Sequence, residues 1–370
     1  MNIAENKKGI LLYDYLFARG GAEKLSFSIV RGFTGTDFCV ALKDEKLFPS
    51  ETSGERSGSI YALTKYTGRR GWKTLKTLLT FVFSKVFRKD YDWAIYSGEY
   101  APMAILRNRK KAKKNILYCH TIPRAPYDLN EFKRSQMGPL TGIAFHFLCQ
   151  LIKALYEPSI KRMDIVVANS ENVRGRIKKY IGLESHVINP PVDVDRFKWL
   201  GVGDYYLSTA RLEPAKRVDL IIRAFMEMPD KNLIVASGGS QYEKLVEMAD
   251  GFDNIKFLGW TSDEELYDAV GNCIATIYIP MDEDFGMSPV ESMSAGKPVI
   301  AVAEGGLLET VVDGETGVFI EAVNHKSVVK AVYEMTESRS LSFRDAAEKR
   351  AKLYSEQQFL SKLKAVIDGD

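Results

Sequence analysis

Residues 273–302 read CIATIYIPMDEDFGMSPVESMSAGKPVIAV. The run Ile274–Ile279 is apolar without alternation, the pattern of a strand buried on both faces. An acidic loop, Pro280 to Met287, leaves its carboxyl end. A helix start is then expected, with Ser288 as N-cap, Pro289 as first helical residue and Glu291 placed to complete a capping box. Gly296 closes that helix, and Pro298 begins the next apolar run, PVIAV. Strand, helix and strand, with both strands apolar throughout, specify a parallel β-α-β unit. Glu283 and Glu291 stand eight positions apart, one on the loop and one on the helix.

The same rhythm runs outward in both directions. KGILLY (8–13), WAIY (93–96), NILYC (115–119), DIVVAN (164–169) and HVIN (186–189) read as strands, as do YYLSTA (205–210), NLIVASG (232–238) and IKFLG (255–259). Amphipathic segments such as AEKLSFSIVRGF and VDLIIRAFMEM lie between them. This predicts an α/β protein with two doubly wound parallel sheets. The paired prolines and glycines of NPPVDVDRFKWLGVGD (189–204) interrupt the rhythm and set the expected division: one domain over 1–190, a second over 191–354. Ligands of open α/β sheets bind beyond the carboxyl ends of strands, so two facing domains are expected to hold an interdomain cleft.

A length of 370 residues accommodates two domains, and 45% hydrophobic with 27% charged residues is ordinary for a soluble protein. MNIAENKKGILLYDYLF lacks a signal-peptide pattern, and no run approaches the roughly 20 apolar residues of a membrane span. Cys39, Cys119, Cys149 and Cys273 are scattered without CxxC spacing, which reads as buried thiols of a cytoplasmic protein and neither a disulfide framework nor a metal site. The net charge of +3 conceals an asymmetry. Residues 1–190 carry 32 Lys and Arg against 17 Asp and Glu; the remainder carries 19 against 31. The first half should therefore be drawn to an anionic partner, and the absence of any nucleic-acid module points away from RNA and DNA.

Several strand ends carry candidate chemistry. Arg211 follows YYLSTA and Lys216 follows five residues later, a guanidinium and an ammonium that fit a diphosphate, although such pairs are often solvated surface. Gly20 and Gly21 open a helix after the first strand, where backbone amides can approach a phosphate or simply turn the chain. Gly305 and Gly306 in EGGLLETVV repeat that arrangement. The Gly20–Gly21 stretch is not GxGxxG, which disfavours dinucleotide binding. Glu283, Asp284 and the amides of Phe285, Gly286 and Met287 read as a ligand loop or a solvated acidic one. His120 ends NILYC, whereas His146, in GIAFHFL, reads as packing in a core. RRGWKTLKTLLTFVFSKVFRK (69–89) places Trp72, Leu75, Leu79, Val82, Phe83 and Val86 on one helical face beside Lys73, Lys76 and Lys85. That suits an anionic membrane interface or an ordinary core-facing helix.

Taken together these residues resemble the retaining glycosyltransferases of family 4, which have the GT-B fold of two facing Rossmann-like domains. The resemblance rests on RGGAEK, NPPVDVDRF, ARLEPAKRVDLIIRAF, EDFGMSPVESMSAGKPVIAV and EGGLLETVVDGETGVFI, in that order. It implies that Arg211 and Lys216, with Gly20 and Gly21, hold a donor diphosphate. It also implies that Glu291 grips the nucleotide ribose, and that Glu283, Phe285, Gly286 and Met287 position the transferred sugar near His120. Neither a metal nor a cofactor is implied, only a nucleotide-sugar co-substrate. The wording is most similar to mannosyltransferases of O-antigen and exopolysaccharide assembly. That implies GDP-mannose as donor, with UDP-hexoses as alternative, and a lipid-linked glycan acceptor. An anionic membrane surface met by the basic first domain is also implied, with the protein peripheral at the inner face of the cell membrane. The C-terminal helix, 355–370, is expected to pack back on the first domain. The competing readings are a non-hydrolysing nucleotide-sugar epimerase and a non-catalytic nucleotide-binding subunit.

Overall fold

The structure is a computed structural model describing residues 7–17, 20–48, 58–65, 73–135 and 137–369. The chain divides into two compact units, Met1–Asn189 with Phe359–Asp370, and Pro190–Gln358.

In the first unit, β1 (Gly9–Leu16), β2 (Asp37–Lys43), β3 (Ile60–Ala62), β4 (Tyr91–Ser97), β5 (Ala112–Cys119), β6 (Ile165–Ala168) and β7 (His186–Val187) form one parallel sheet, ordered β3-β2-β1-β4-β5-β6-β7. The second unit holds β8 (Tyr205–Ser208), β9 (Asn232–Val235), β10 (Ile255–Phe257), β11 (Thr276–Tyr278), β12 (Val299–Ala301) and β13 (Gly317–Phe319) in the order β10-β9-β8-β11-β12-β13, again all parallel. In each sheet the strand order reverses beside the first strand, between β1 and β4 and between β8 and β11. Loops leaving those strand ends diverge, which opens a crevice.

Every strand expected from an apolar run is present, and β2, β3 and β13 are additional. β3 and β13 are three residues long and only partly buried, and neither sits in a long apolar run. β2, DFCVALK, is buried along its whole length and carries the same unalternated signature as its neighbours.

The helix of the opening stretch differs from expectation. It runs Met287–Ser294 with Gly286, at φ 91°, as N-cap. Ser288 and Pro289 lie inside its first turn, and Glu291 falls beyond capping reach. Glycine reaches the left-handed N-cap geometry without a Cβ penalty, and the chain enters the helix two residues early. Gly296, at φ 67°, does terminate it, its amide reaching the Met293 carbonyl at 2.9 Å.

The basic segment also differs. The helix spans Lys73–Phe83, so Lys85, Val86, Arg88 and Lys89 lie beyond it, while residues 69–72, with Trp72, fall outside the described residues. Leu78 and Phe81 are buried and Leu75 and Val82 pack on the core, making this chiefly a core-facing helix. Arg88 covers the Tyr61 ring at 3.6 Å and Lys89 pairs with Asp37 at 2.9 Å.

The last helix, Glu356–Asp368, puts Phe359, Leu363 and Ile367 into the core of the first unit with Trp93 and Tyr118. Its Leu360 sits over Gly32, where an added Cβ would come within 2.5 Å. Among the described residues no helix is long and apolar enough to cross a membrane. All four cysteines are buried thiols, none in a disulfide.

Candidate active site

In the second unit, Arg211 and Lys216 leave β8, and Glu283 leaves β11, on the two sides of the reversal point. Tyr278, the last residue of β11, lies at the centre. Its buried hydroxyl donates to Glu283 Oε2 at 2.9 Å and accepts from Lys216 Nζ at 3.3 Å. Lys216 also pairs directly with that same Glu283 oxygen. Burial drives the Tyr278 hydroxyl far above its ordinary pKa; the charges of Glu283 and Glu291 add to the rise, and Arg211 opposes it. All four sequence-predicted charged residues of this unit therefore act on one phenol, which stays protonated and can only donate to a carboxylate. Arg211 is exposed, whereas Lys216, Glu283 and Glu291 are half-buried.

Backbone contacts hold the Glu283 loop. The Gly306 amide donates to the Glu283 carbonyl at 2.7 Å, and the Met281 amide to the Ala215 carbonyl at 2.7 Å. A Cβ on Gly305 would lie 2.4 Å from the Glu283 carbonyl oxygen; one on Gly306 would lie 2.5 Å from Phe285 Cα. These two glycines thus serve close backbone approach, and the helix after them, Leu307–Thr310, is a single turn. Phe285 turns inward, edge-on to Tyr354 at 5.3 Å, and Met287 packs on the same core.

Sequence reasoning passed over Tyr278, Arg217 and Glu304. Arg217 is helix N-cap at φ 53° and donates to both Glu304 oxygens, at 3.0 and 3.1 Å. Asp282, at φ 44°, gives its amide to Glu304 at 3.1 Å. Non-glycine residues are rare in that region, and two of them, on different loops, meeting at one carboxylate mark a strained, over-determined site. No sequence signal marked them, because Arg217 reads as a helix-flanking cation.

The first unit carries its own constellation at the ends of β1, β4 and β5. Gly20 is N-cap and Gly21 the first residue of the helix Gly21–Gly32. The Gly20 amide donates to Glu23 at 3.1 Å, and Glu23 accepts from the Tyr13 hydroxyl at 3.2 Å. His120 Nε2 lies 2.8 Å from Ser97 Oγ, with Tyr13 and Tyr118 edge-on to its ring. Burial lowers the imidazole pKa to about 4, so it is neutral near pH 7. Asp14, also unforeseen, is buried and accepts the amides of Glu99, Tyr100 and Ala101 at 2.7, 2.9 and 2.7 Å. His146 is exposed on its helix, contrary to the core position expected. Among the described residues no three His, Cys, Asp or Glu side chains gather as a metal site.

A family model for glycosyl transferases group 1 matches residues 197–354. The chain is 36% identical over 159 residues to an alpha-1,3/1,6-mannosyltransferase of Dictyostelium discoideum, covering 36% of each chain. It is 29% identical over 201 residues to a GDP-mannose-dependent alpha-(1-6)-phosphatidylinositol monomannoside mannosyltransferase of Mycolicibacterium smegmatis, covering 46% of this chain and 53% of that one. The chain thus spans roughly a third to a half of these curated relatives. Among solved structures, sucrose-phosphate synthase from Thermosynechococcus elongatus superposes with TM-score 0.80 at 16% identity, over 98% of this chain and 99% of that one. HepE of Anabaena, solved with UDP and glucose, gives 0.72 at 17% identity, over 99% and 100%. Both share the two-sheet GT-B fold.

Proposed function

We propose, from the glycosyl transferases group 1 match at residues 197–354 on a GT-B fold, that this chain is a retaining, metal-independent mannosyltransferase. Its donor is GDP-mannose and its acceptor a lipid-linked glycan of bacterial surface polysaccharide synthesis, met at the inner face of the cell membrane. The observation that carries this reading is the hydrogen-bonded cluster of Lys216, Tyr278 and Glu283 at the reversal point of the second sheet, with the charges of Arg211 and Glu291 acting on the same hydroxyl.

Lys216 and Arg211 would neutralise the diphosphate, and Glu291 would bind the ribose hydroxyls. The Lys216–Glu283 pair must then be shared: as phosphate takes the ammonium, Glu283 is freed toward the sugar while Tyr278 keeps it oriented. Fixed cations on the phosphate side lower the barrier because they need no reorganisation as charge develops. In a same-face substitution, the bond from the anomeric carbon to the phosphate oxygen breaks and its electron pair stays on phosphate. The acceptor hydroxyl bonds that carbon and passes its proton to the departing phosphate oxygen. Gly20, Gly21 and His120 keep the roles the family resemblance gives them. Two relatives named as mannosyltransferases, one of them GDP-mannose-dependent, support the donor.

A thermal-shift panel of GDP-, UDP-, ADP- and dTDP-sugars tests the proposal, because a ligand of the native state raises its apparent stability by mass action. GDP-mannose is expected to give the largest shift. A larger shift with a UDP-hexose would replace the donor, and none with any nucleotide sugar would overturn the reading. Conversion of GDP-mannose alone to another nucleotide sugar would make the chain an epimerase instead.

A further inference from the structure

The ends of β4 and β5 bring one hydroxyl and one imidazole together. The two strands pair in parallel with Ser97 opposite Tyr118, which puts His120, two residues further on, within reach of the Ser97 side chain. Ser97 is fully buried, and its Oγ lies 2.8 Å from His120 Nε2. The chain behind Ser97 is held tightly. Gly98 follows at φ 107°, where an added Cβ would come within 2.6 Å of Asp14 Cγ, and Asp14 accepts the next three amides, of Glu99, Tyr100 and Ala101. The two aromatic walls of the imidazole do not compete for its nitrogens. The Tyr13 hydroxyl donates to Glu23, and the Tyr118 hydroxyl to the Ile188 carbonyl at 2.9 Å.

Burial keeps the imidazole neutral near pH 7, so one ring nitrogen carries a proton and the other a lone pair. Among the described residues, Nε2 is the one hydrogen-bond partner of the Ser97 hydroxyl. Were Nε2 protonated, the ring would donate to Oγ and the buried serine hydrogen would meet no acceptor, an unmade bond that burial penalises. With the lone pair on Nε2, Ser97 donates and its hydrogen is used. The bond made by one ring nitrogen sets the state of the other, so the proton of the ring belongs on Nδ1. We propose that Ser97 is a positioning residue of sugar transfer: its hydroxyl holds His120 in the Nδ1–H tautomer, so that His120 serves the substrate as a hydrogen-bond donor and keeps no lone pair with which to take a proton. The inference rests on the sugar-transfer reading and adds to it the sense in which His120 acts. The group that fits Nδ1–H is an accepting oxygen, such as a hydroxyl of the transferred sugar.

The test is heteronuclear NMR of the imidazole nitrogens in the full chain, where only four histidines contribute and His120→Asn identifies the signals of His120. In the wild type, Nδ1 should show the protonated nitrogen shift and Nε2 the unprotonated one; the opposite pattern would overturn the proposal. Ser97→Ala should give a mixture of tautomers and lower kcat/KM for the nucleotide sugar by about five- to tenfold, the loss of roughly one neutral hydrogen bond. Affinity for the nucleoside diphosphate should stay within about twofold, because Ser97 lies in the other unit from Arg211 and Lys216. Ser97→Thr, which returns the hydroxyl, should recover the Nδ1–H tautomer. Diphosphate affinity falling in step with turnover would reduce Ser97 to a structural residue and end the proposal. A second series leaves the buried serine untouched. An asparagine amide falls near the place of Nδ1 and a glutamine amide near that of Nε2, so His120→Asn should keep several-fold more transfer than His120→Gln; the reverse order would count decisively against the assigned tautomer. Rates are read with whichever nucleotide sugar the thermal-shift panel selects, so a different donor leaves the inference intact. An Nδ1–H wild type that turns over no nucleotide sugar sinks the transferase reading while the Ser97–His120 pairing stands, and an Nε2–H wild type that does turn one over sinks only the role given to Ser97.

Discussion

The Arg217 guanidinium donates to both oxygens of Glu304, tying the helix entry after β8 to the strand end at β12. Because Glu304 also accepts the Asp282 amide, one carboxylate fixes the loop that carries Glu283. Left-handed geometry costs Arg217 about 1–2 kcal/mol, whereas a partly buried charged hydrogen bond contributes about 1.5–3 kcal/mol. Arg217→Gly should therefore leave stability within about 1 kcal/mol of wild type, strain relief offsetting the lost pair. Glu304→Ala, which relieves no strain, should lower Tm by about 2–8 °C. Both should lower kcat/KM for the donor, and equal activity in Arg217→Gly would show that the tie does not position Glu283.

Gly306 tests the same loop by sterics. An alanine there meets the Phe285 backbone at 2.5 Å, and neither side is a flexible side-chain tip. Gly306→Ala should cost about 1–3 kcal/mol of stability and move Glu283 off Tyr278, so that transfer falls further than stability alone explains. Urea denaturation and initial rates on the same sample check this.

Lys216 and Glu283 share a bond, so their variants should act in opposite senses. Lys216→Ala and Arg211→Ala should each weaken nucleotide-diphosphate binding by about ten- to a hundredfold, in keeping with a hydrogen bond to a charged group. Glu283→Ala releases the Lys216 ammonium and should keep or tighten that binding, while transfer drops by about a hundredfold or more. Calorimetric titration with GDP against single-turnover rates distinguishes the two, and weaker GDP binding in Glu283→Ala would contradict the assigned sharing.

His120 carries a pH signature. Its pKa is about 4 folded against 6.5 unfolded, so unfolded chains bind the extra proton and stability falls as pH drops from 6.5 toward 4. Between pH 7 and pH 5 this amounts to no more than about 2 kcal/mol. Asp14 has the opposite sign, since burial pushes its carboxyl up to about 7 despite three amide donors, and folding then binds a proton as pH falls. The measurable quantity is therefore a difference: His120→Asn should be less destabilised than wild type on going from pH 7 to pH 5 in chemical denaturation. Equal pH dependence in both would remove the buried neutral imidazole.

Much of the site was legible before folding. Arg211, Lys216 and Glu283 flank strand ends that the apolar runs had already located, and a strand end in an open parallel sheet is where ligands sit. Tyr278 was hidden because it reads as one more aromatic in a buried strand; nothing local says that its hydroxyl emerges beside a lysine 62 positions earlier. Glu304 was hidden likewise, its partner Arg217 being 87 residues away.

Sequence alone determined the α/β class, the two parallel sheets and the positions of most strands, because unalternated apolar runs separated by amphipathic segments can be buried in few other ways. Tertiary structure alone decided where the Met287–Ser294 helix begins and which basic segment faces inward. It also showed that the long apolar helix Pro139–Ile160 leaves Leu140 and Phe147 in solvent. The helix start turns on the left-handed backbone at Gly286; the other two outcomes turn on which of two apolar faces finds a neighbour, and periodicity records that a face is apolar without recording what covers it.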